Sequence, residues 1–159
     1  MAVVPEIRIS AILDPRDVVD GLRSAVKREV LEKLAERLEQ NHPELDRQRV
    51  LEILLRREEL RSTGIESGVA FPHGRVPGLC GLRAAFGRSR QGVDFDAFDQ
   101  RPTHFFVVLL IPEEGEGVHL RALARLNRMF QDEAFRRRLM EAPDEAAMYA
   151  AIQEQDQRL

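Results

Sequence analysis

Seven consecutive apolar residues, Phe105 to Ile111, form the longest uninterrupted apolar run in a chain of 159 residues. The run is far below the roughly 20 residues that a membrane helix needs. Because it does not alternate with polar residues, it reads as a strand covered on both faces. Around it the chain switches between strand-like and helix-like periodicity. No internal repeat appears, and no Pro/Gly/Ser-rich stretch is long enough to be a linker. Strands interleaved with helices predict an α/β fold, a single domain over residues 1–159 with helices packed on one sheet. Strand order and direction do not follow from the pattern.

The remaining elements are placed by their own signals. After an irregular start, Ile7, Ile9 and Ala11 alternate with polar residues, and Asp14-Pro15 reads as a turn or a helix start. A helical stripe then runs through Val26, Val30, Leu34 and Leu38. Asp14 as its cap would bury Gly21 in a helix interior, at about 1 kcal/mol, so Ser24 is the preferred cap. Asn41-His42-Pro43 ends that helix, since a residue before proline is pushed out of α geometry. A second helix is expected from an Asp46 cap to about Leu60, followed by a turn-rich segment from Ser62 to Gly68. Val69 to Phe71 is a short strand that ends in a Pro72-His73-Gly74 turn. Leu82 to Gly87 is a further strand, and Gln91 to Pro102 is turn-prone. A third helix carries Leu120, Leu123, Leu126 and Phe130. Asp132 and Asp144 are candidate caps for two more.

Composition narrows the function classes. Twenty-four basic and 27 acidic residues give a net charge of −3, so no global field recruits nucleic acid or anionic lipid. Cys80 is the single cysteine and cannot form an internal disulfide, and no Cys/His cluster has zinc-ligand spacing. No apolar segment precedes Glu6 and Arg8, so no signal peptide is expected, and the predicted location is cytoplasmic without direct membrane insertion.

Four histidines offer chemistry. His42 reads as an exposed residue at a helix end, and His104 as one at the mouth of a strand. His73 follows a proline that restricts the backbone and precedes a glycine that removes bulk, which leaves an imidazole open to a large partner. The alternative is that Pro-His-Gly is simply a turn. His119 stands at the start of the third helix, where free backbone N–H groups favour an anion; capping or packing is the competing reading. Arg57 ends the second helix and suits either its carboxyl end or phosphoryl oxygens. Because 22 of the 24 basic residues are arginine, its type alone says little.

The segments Arg57-Glu58-Glu59-Leu60-Arg61-Ser62-Thr63-Gly64-Ile65 and Gly68-Val69-Ala70-Phe71-Pro72-His73-Gly74-Arg75 resemble the signature of enzyme IIA domains. These belong to the bacterial phosphoenolpyruvate-dependent phosphotransferase system (PTS), in the fructose, mannitol and nitrogen-regulatory class. The similarity continues through Val93-Asp94-Phe95-Asp96-Ala97-Phe98-Asp99, the Phe105–Ile111 strand, and Pro112 with His119-Leu120, covering about Val18 to Ile152. Arg-Glu…Ser-Thr-Gly-Ile and Phe-Asp-Ala-Phe-Asp place it nearest the nitrogen-regulatory branch. Residues 1–15 have no assigned counterpart. Glu66-Ser67-Gly68 stands where the family often has Gly-Asn-Gly; a Glu66 side chain pointing into the pocket would repel phosphate, and one turned to solvent is expected.

The resemblance implies the PTS IIA type-2 fold, a mixed β-sheet flanked by α-helices. It implies that His73 carries phosphate as a phosphohistidine and that Arg57 and His119 line the same pocket. His119 would orient the nucleophile or bond the phosphoryl oxygens, Arg57 would neutralise charge, and Ser62 and Thr63 would add donors. No metal or organic cofactor is implied, because the donor is itself a phosphoprotein, HPr or its nitrogen-branch counterpart. Onward transfer goes to a IIB cysteine in a sugar-specific carrier; in a regulatory module, phosphorylation controls binding to a target protein. The lack of a fused IIB or IIC segment within the sequence favours regulation. A metal-dependent hydrolase using His73 and His119 is a third reading, weakened by the absence of a third ligand.

Overall fold

A computed structural model describes residues 7–23, 26–114 and 117–159. Among the described residues, six helices accompany five strands: α1 (Ile9–Ile12), β1 (Leu13–Val19), α2 (Lys27–Asn41), α3 (Arg47–Leu60), β2 (Val69–Ala70), β3 (His73–Val76), β4 (Arg83–Val93), β5 (Thr103–Pro112), α4 (Val118–Gln131), α5 (Glu133–Glu141) and α6 (Glu145–Gln157). The strands form one mixed sheet in the order β1-β4-β5, with β2 and β3 both on the far side of β5. Only β4 and β5 run antiparallel; β1 is parallel to β4, and β2 and β3 are parallel to β5.

The long apolar run is the central strand, as its pattern predicts. Phe105, Val107, Leu109 and Ile111 face a core shared with α1, α4, α5 and α6. Phe106, Val108 and Leu110 face a second core built with α2 and α3. Helices therefore cover both faces of the sheet, and the period of two along β5 assigns alternate side chains to the two cores. No helix among the described residues is long and apolar enough to cross a membrane.

Three helix starts follow the expected capping chemistry. The Asp46 side chain accepts from Gln48 N at 3.0 Å, that of Asp132 from Ala134 N at 3.0 Å, and that of Asp144 from Ala147 N at 2.8 Å. The Ser24 cap lies outside the described residues; α2 begins at Lys27 after an extended Val26.

Several expectations are corrected. The alternation at Ile7, Ile9 and Ala11, to which the pattern assigns no element, includes one helical turn, Ile9–Ile12, pinned where Ser10 N and Oγ both donate to Asp156 Oδ2. A period of two over so few residues does not separate the two geometries. Asp14-Pro15 lies inside β1, which pairs only with β4, and such an edge position tolerates a residue without an N–H. Pro72-His73-Gly74 is no turn either, because the chain continues as β3 along β5, with His73 opposite Leu109. The β4 strand runs on to Val93, beyond the expected end. Leu120 is 61% exposed, so the buried stripe of α4 runs through Ala122, Leu126, Met129 and Phe130 instead.

His42 is the largest departure, being buried rather than exposed. Its Nε2 lies 2.6 Å from Asp17 Oδ2, and Arg83 Nη1 donates to its Nδ1 at 2.8 Å. Asn41 Nδ2 donates to the other Asp17 oxygen at 2.7 Å, so the end of α2 is fastened to the edge strand. Partners from β1 and β4 decide the burial of this ring, and a local window of sequence cannot supply them.

Candidate functional site

Along β3, Gly74 and Val76 face α3, and Val76 belongs to the core on that side. Strand alternation therefore turns His73 to the opposite face, toward α4. There a cavity of about 370 Å³ is lined by Arg57, Ser62, Thr63, Ile65, Phe71, His73, Leu123, Ala124 and Asn127. His119 sits one helical turn before Leu123, so the stripe 119–123–127 of α4 is directed to this side.

The His73 ring is half-buried, and its Nδ1 lies 2.8 Å from Phe71 O. A carbonyl can only accept, so Nδ1 carries the proton and Nε2 keeps its lone pair. Burial pushes the ring's pKa below its ordinary value, against the Phe71 hydrogen bond, and the Arg57 and His119 charges push it the same way as burial. The neutral nucleophilic form is thus favoured at neutral pH.

Arg57 meets both sequence readings. Its Nη1 donates to Arg61 O at 2.7 Å, capping the end of α3, while the side chain also lines the His73 cavity. Ser62 is committed elsewhere: its Oγ donates to Phe95 O at 2.6 Å and accepts from Gly64 N at 3.0 Å. Thr63 is buried, and its Oγ1 has no hydrogen-bond partner among the described residues. His119 Nδ1 is likewise buried and unpartnered. Thr63 lines the cavity with His73, whereas His119, expected in the same pocket, is not among the lining residues. The unmet polar atom of a cavity-lining residue is that of Thr63, which suits a ligand rich in oxygen acceptors and donors.

Other residues play parts that sequence reasoning did not assign. Phe95 is fully buried against Phe106, with ring centroids 5.2 Å apart, and its carbonyl anchors Ser62. Phe98 N donates to Gly64 O at 3.1 Å, and a Cβ on Gly64 would stand 3.0 Å from Ala97 Cα. The Phe95–Phe98 segment therefore braces the 62–64 turn at close quarters. Glu58, buried in the last turn of α3, accepts from Thr63 N. An acidic residue near the carbonyl end of a helix, where the macrodipole disfavours it, was the available signal. Glu66 is exposed and borders a neighbouring groove with Ser67 and Phe98, not the His73 cavity.

His104 is half-buried, with Nδ1 bonded to Ser89 O at 2.9 Å, and has no place in this cavity. Among the described residues, the one group of three metal-ligating types is Asp14, Asp17 and His42; it includes neither His73 nor His119.

Comparison with known proteins bears on the family and the fold. Residues 11–155 match the family described as phosphoenolpyruvate-dependent sugar phosphotransferase system, EIIA 2. The nitrogen regulatory protein of Pseudomonas aeruginosa is 36% identical over 146 residues, covering 92% of this chain and 95% of its own. The fructose-specific EIIABC component of Bacillus subtilis is 32% identical over 149 residues, 94% of this chain but 24% of that longer protein. The crystal structure of nitrogen regulatory protein IIA-Ntr from Neisseria meningitidis superposes with a TM-score of 0.84 at 35% identity, covering 91% of this chain and 98% of that one. The chain thus belongs to the EIIA 2 family of the phosphoenolpyruvate-dependent sugar phosphotransferase system.

Proposed function

We propose that this protein is a phosphocarrier that accepts a phosphoryl group on His73 Nε2 from a phosphohistidine carrier, HPr or its nitrogen-branch counterpart, within a regulatory phosphorelay. The observation that carries the reading is the ring itself. Its Nδ1–H is spent on Phe71 O, and Nε2 is left free in a cavity shared with Arg57 and an unpartnered Thr63 hydroxyl.

The donor's N–P bond breaks as the Nε2–P bond forms, and the donor ring keeps the electron pair of the broken bond. His73 retains its Nδ1 proton throughout, so no general base is required. Such transfer asks for an in-line nucleophile and stabilised charge on the equatorial oxygens. Arg57 supplies the charge; a unit pair at 4 Å is worth about 4 kcal/mol at an effective dielectric near 20. Thr63 Oγ1 and His119 supply hydrogen bonds. Ser62 acts through the backbone it holds, because its own proton goes to Phe95.

Nitrogen regulatory relatives match this chain over nearly their whole length, which supports the regulatory role over sugar uptake through a IIB cysteine. A cytoplasmic location follows from that role. Incubation with a phosphorylated carrier tests the scheme: acid-labile, base-stable label should appear on the wild type and vanish in His73→Ala. Undiminished labelling of that variant removes the assignment. Efficient onward transfer to a panel of IIB domains would favour the sugar-specific reading instead.

A further inference from the structure

Glu58 is a carboxylate in two unfavourable settings at once. It is 7% exposed, and it lies in the last turn of α3, where free carbonyl oxygens gather negative charge. Breaches of local preference of this kind concentrate where a site requires them. Its polar contacts are with an N–H group and an ammonium group. Thr63 N–H donates to both carboxylate oxygens, at 3.2 Å to Oε1 and 3.1 Å to Oε2, and Lys27 Nζ stands 3.2 Å from Oε1. Lys27 is in turn held 4.6 Å from the centroid of the Phe95 ring and 3.4 Å from Asp96 Oδ2.

The neighbouring Arg57 performs the matching task on the other side of the same turn, donating to Arg61 O. Consecutive side chains at the end of α3 thus grip a carbonyl and an amide of the 61–63 segment. Thr63 is the residue whose amide is so gripped; it lines the cavity with His73, and its Oγ1 is buried and unpartnered. A buried hydroxyl without a partner is costly unless a ligand completes it. Fixing the Thr63 peptide fixes the Cα–Cβ bond from which that hydroxyl projects, and the β-branched side chain has few χ1 rotamers, so the donor is restricted before any phosphoryl group arrives.

We propose that Glu58, neutralised by Lys27, is a positioning residue that aims the Thr63 hydroxyl at the phosphoryl group entering on His73. The inference rests on the reading of His73 as phosphoryl acceptor and adds the device that orients its donor. Glu58 touches neither substrate nor reacting atom; its charge favours the protonated His73 ring, against the effect of burial, and its hydrogen bonds act through Thr63.

Phosphoramidate, a small phosphoryl donor that releases ammonia as the Nε2–P bond forms, tests this without a protein partner. Phosphorylation of the full chain is followed by 31P NMR over a range of donor concentrations, which separates the maximal rate from half-saturation. The Thr63 amide is followed by its proton shift and exchange rate. Glu58→Gln and Thr63→Val are each expected to lower the maximal rate at least fivefold with half-saturation unchanged. Their double variant should be no slower than the slower single one, because both remove the same oriented donor. Glu58→Gln should also speed exchange of the Thr63 amide.

A folded Glu58→Gln variant with the wild-type maximal rate overturns the proposal, as do effects that multiply in the double variant. A loss of thermal stability alone, with the rate unmoved, marks a structural role and also overturns it. If Glu58→Gln fails to fold, Thr63→Ser against Thr63→Val decides: serine should keep the rate, and a valine variant at the wild-type rate overturns the proposal. Wild-type protein that never forms phosphohistidine removes the underlying function as well, whereas labelled wild type with an unaffected Glu58→Gln removes this inference alone.

Discussion

A Cβ placed on Gly74 would stand 2.4 Å from Ile53 Cγ2, so β3 lies against α3 at a separation that admits no side chain. Ile53 and Arg57 are four residues apart on the same face of α3. The close approach at Gly74 is therefore what sets the strand bearing His73 beside the helix bearing Arg57.

Gly74→Ala should force that pair of elements apart. A Cγ2 methyl on a β-branched residue has little freedom to yield, and overpacking of this kind costs about 1–3 kcal/mol. Urea unfolding should show the loss, and phosphoryl acceptance should slow in the folded variant. Unchanged stability together with unchanged labelling would mean that the contact is not limiting.

His73 should titrate below its ordinary value near 6.5, because burial disfavours the charged ring and the charges of Arg57 and His119 add to this. Between the folded and unfolded values the unfolded chain binds more protons. The contribution to stability is therefore full above about 6.5 and is lost as the pH falls through the folded value. NMR titration of the ring should give a midpoint below 6.5, and Arg57→Ala should raise it. Phosphoryl acceptance should decline as the pH falls through the folded midpoint, below 6.5. A midpoint at or above 6.5 would contradict the burial argument.

His42→Ala should destabilise the protein by about 2 kcal/mol, the scale of a lost buried hydrogen bond to a charged group. The variant leaves the fully buried Asp17 with Asn41 as its remaining side-chain partner, and it removes the acceptor for Arg83. Chemical denaturation measures this directly. Because the tie joins α2 to β1 and β4, away from the His73 cavity, labelling of the folded variant should stay at the wild-type level.

Ser67 holds a left-handed backbone with φ of 66°. Asparagine adopts that region more readily than serine, and the family often has it at this position. Ser67→Asn should raise stability by about 0.5 kcal/mol, a small gain in the range of other backbone-compatible substitutions. The residue is exposed, so the gain should appear in thermal unfolding without altering phosphoryl acceptance.

Where one stretch of chain carries its own instructions, the fold was legible. Asp46, Asp132 and Asp144 cap the helices that their positions announce, and the Phe105–Ile111 run is the covered central strand. The resemblance gathered Arg57, Ser62, Thr63, His73 and His119 into one site; the structure lines one cavity with the first four, and His119 is not among the lining residues. The Pro-His-Gly segment was misjudged because its extended form depends on β5, some thirty residues onward. His42 and Glu58 were missed for a like reason: each is a polar residue near a helix end, which ordinarily faces water.

The sequence by itself determined the layered α/β class, most of the helix boundaries and the motif around His73 that carries the family resemblance, since periodicity, caps and motif are written in neighbouring positions. Only the tertiary structure decided the strand order, the proton on His73 Nδ1, the burial of His42 against Asp17 and the grip of Glu58 on Thr63. Each of these depends on a partner brought in from another element, and the free energy of a buried polar group is set by that partner rather than by the residue alone.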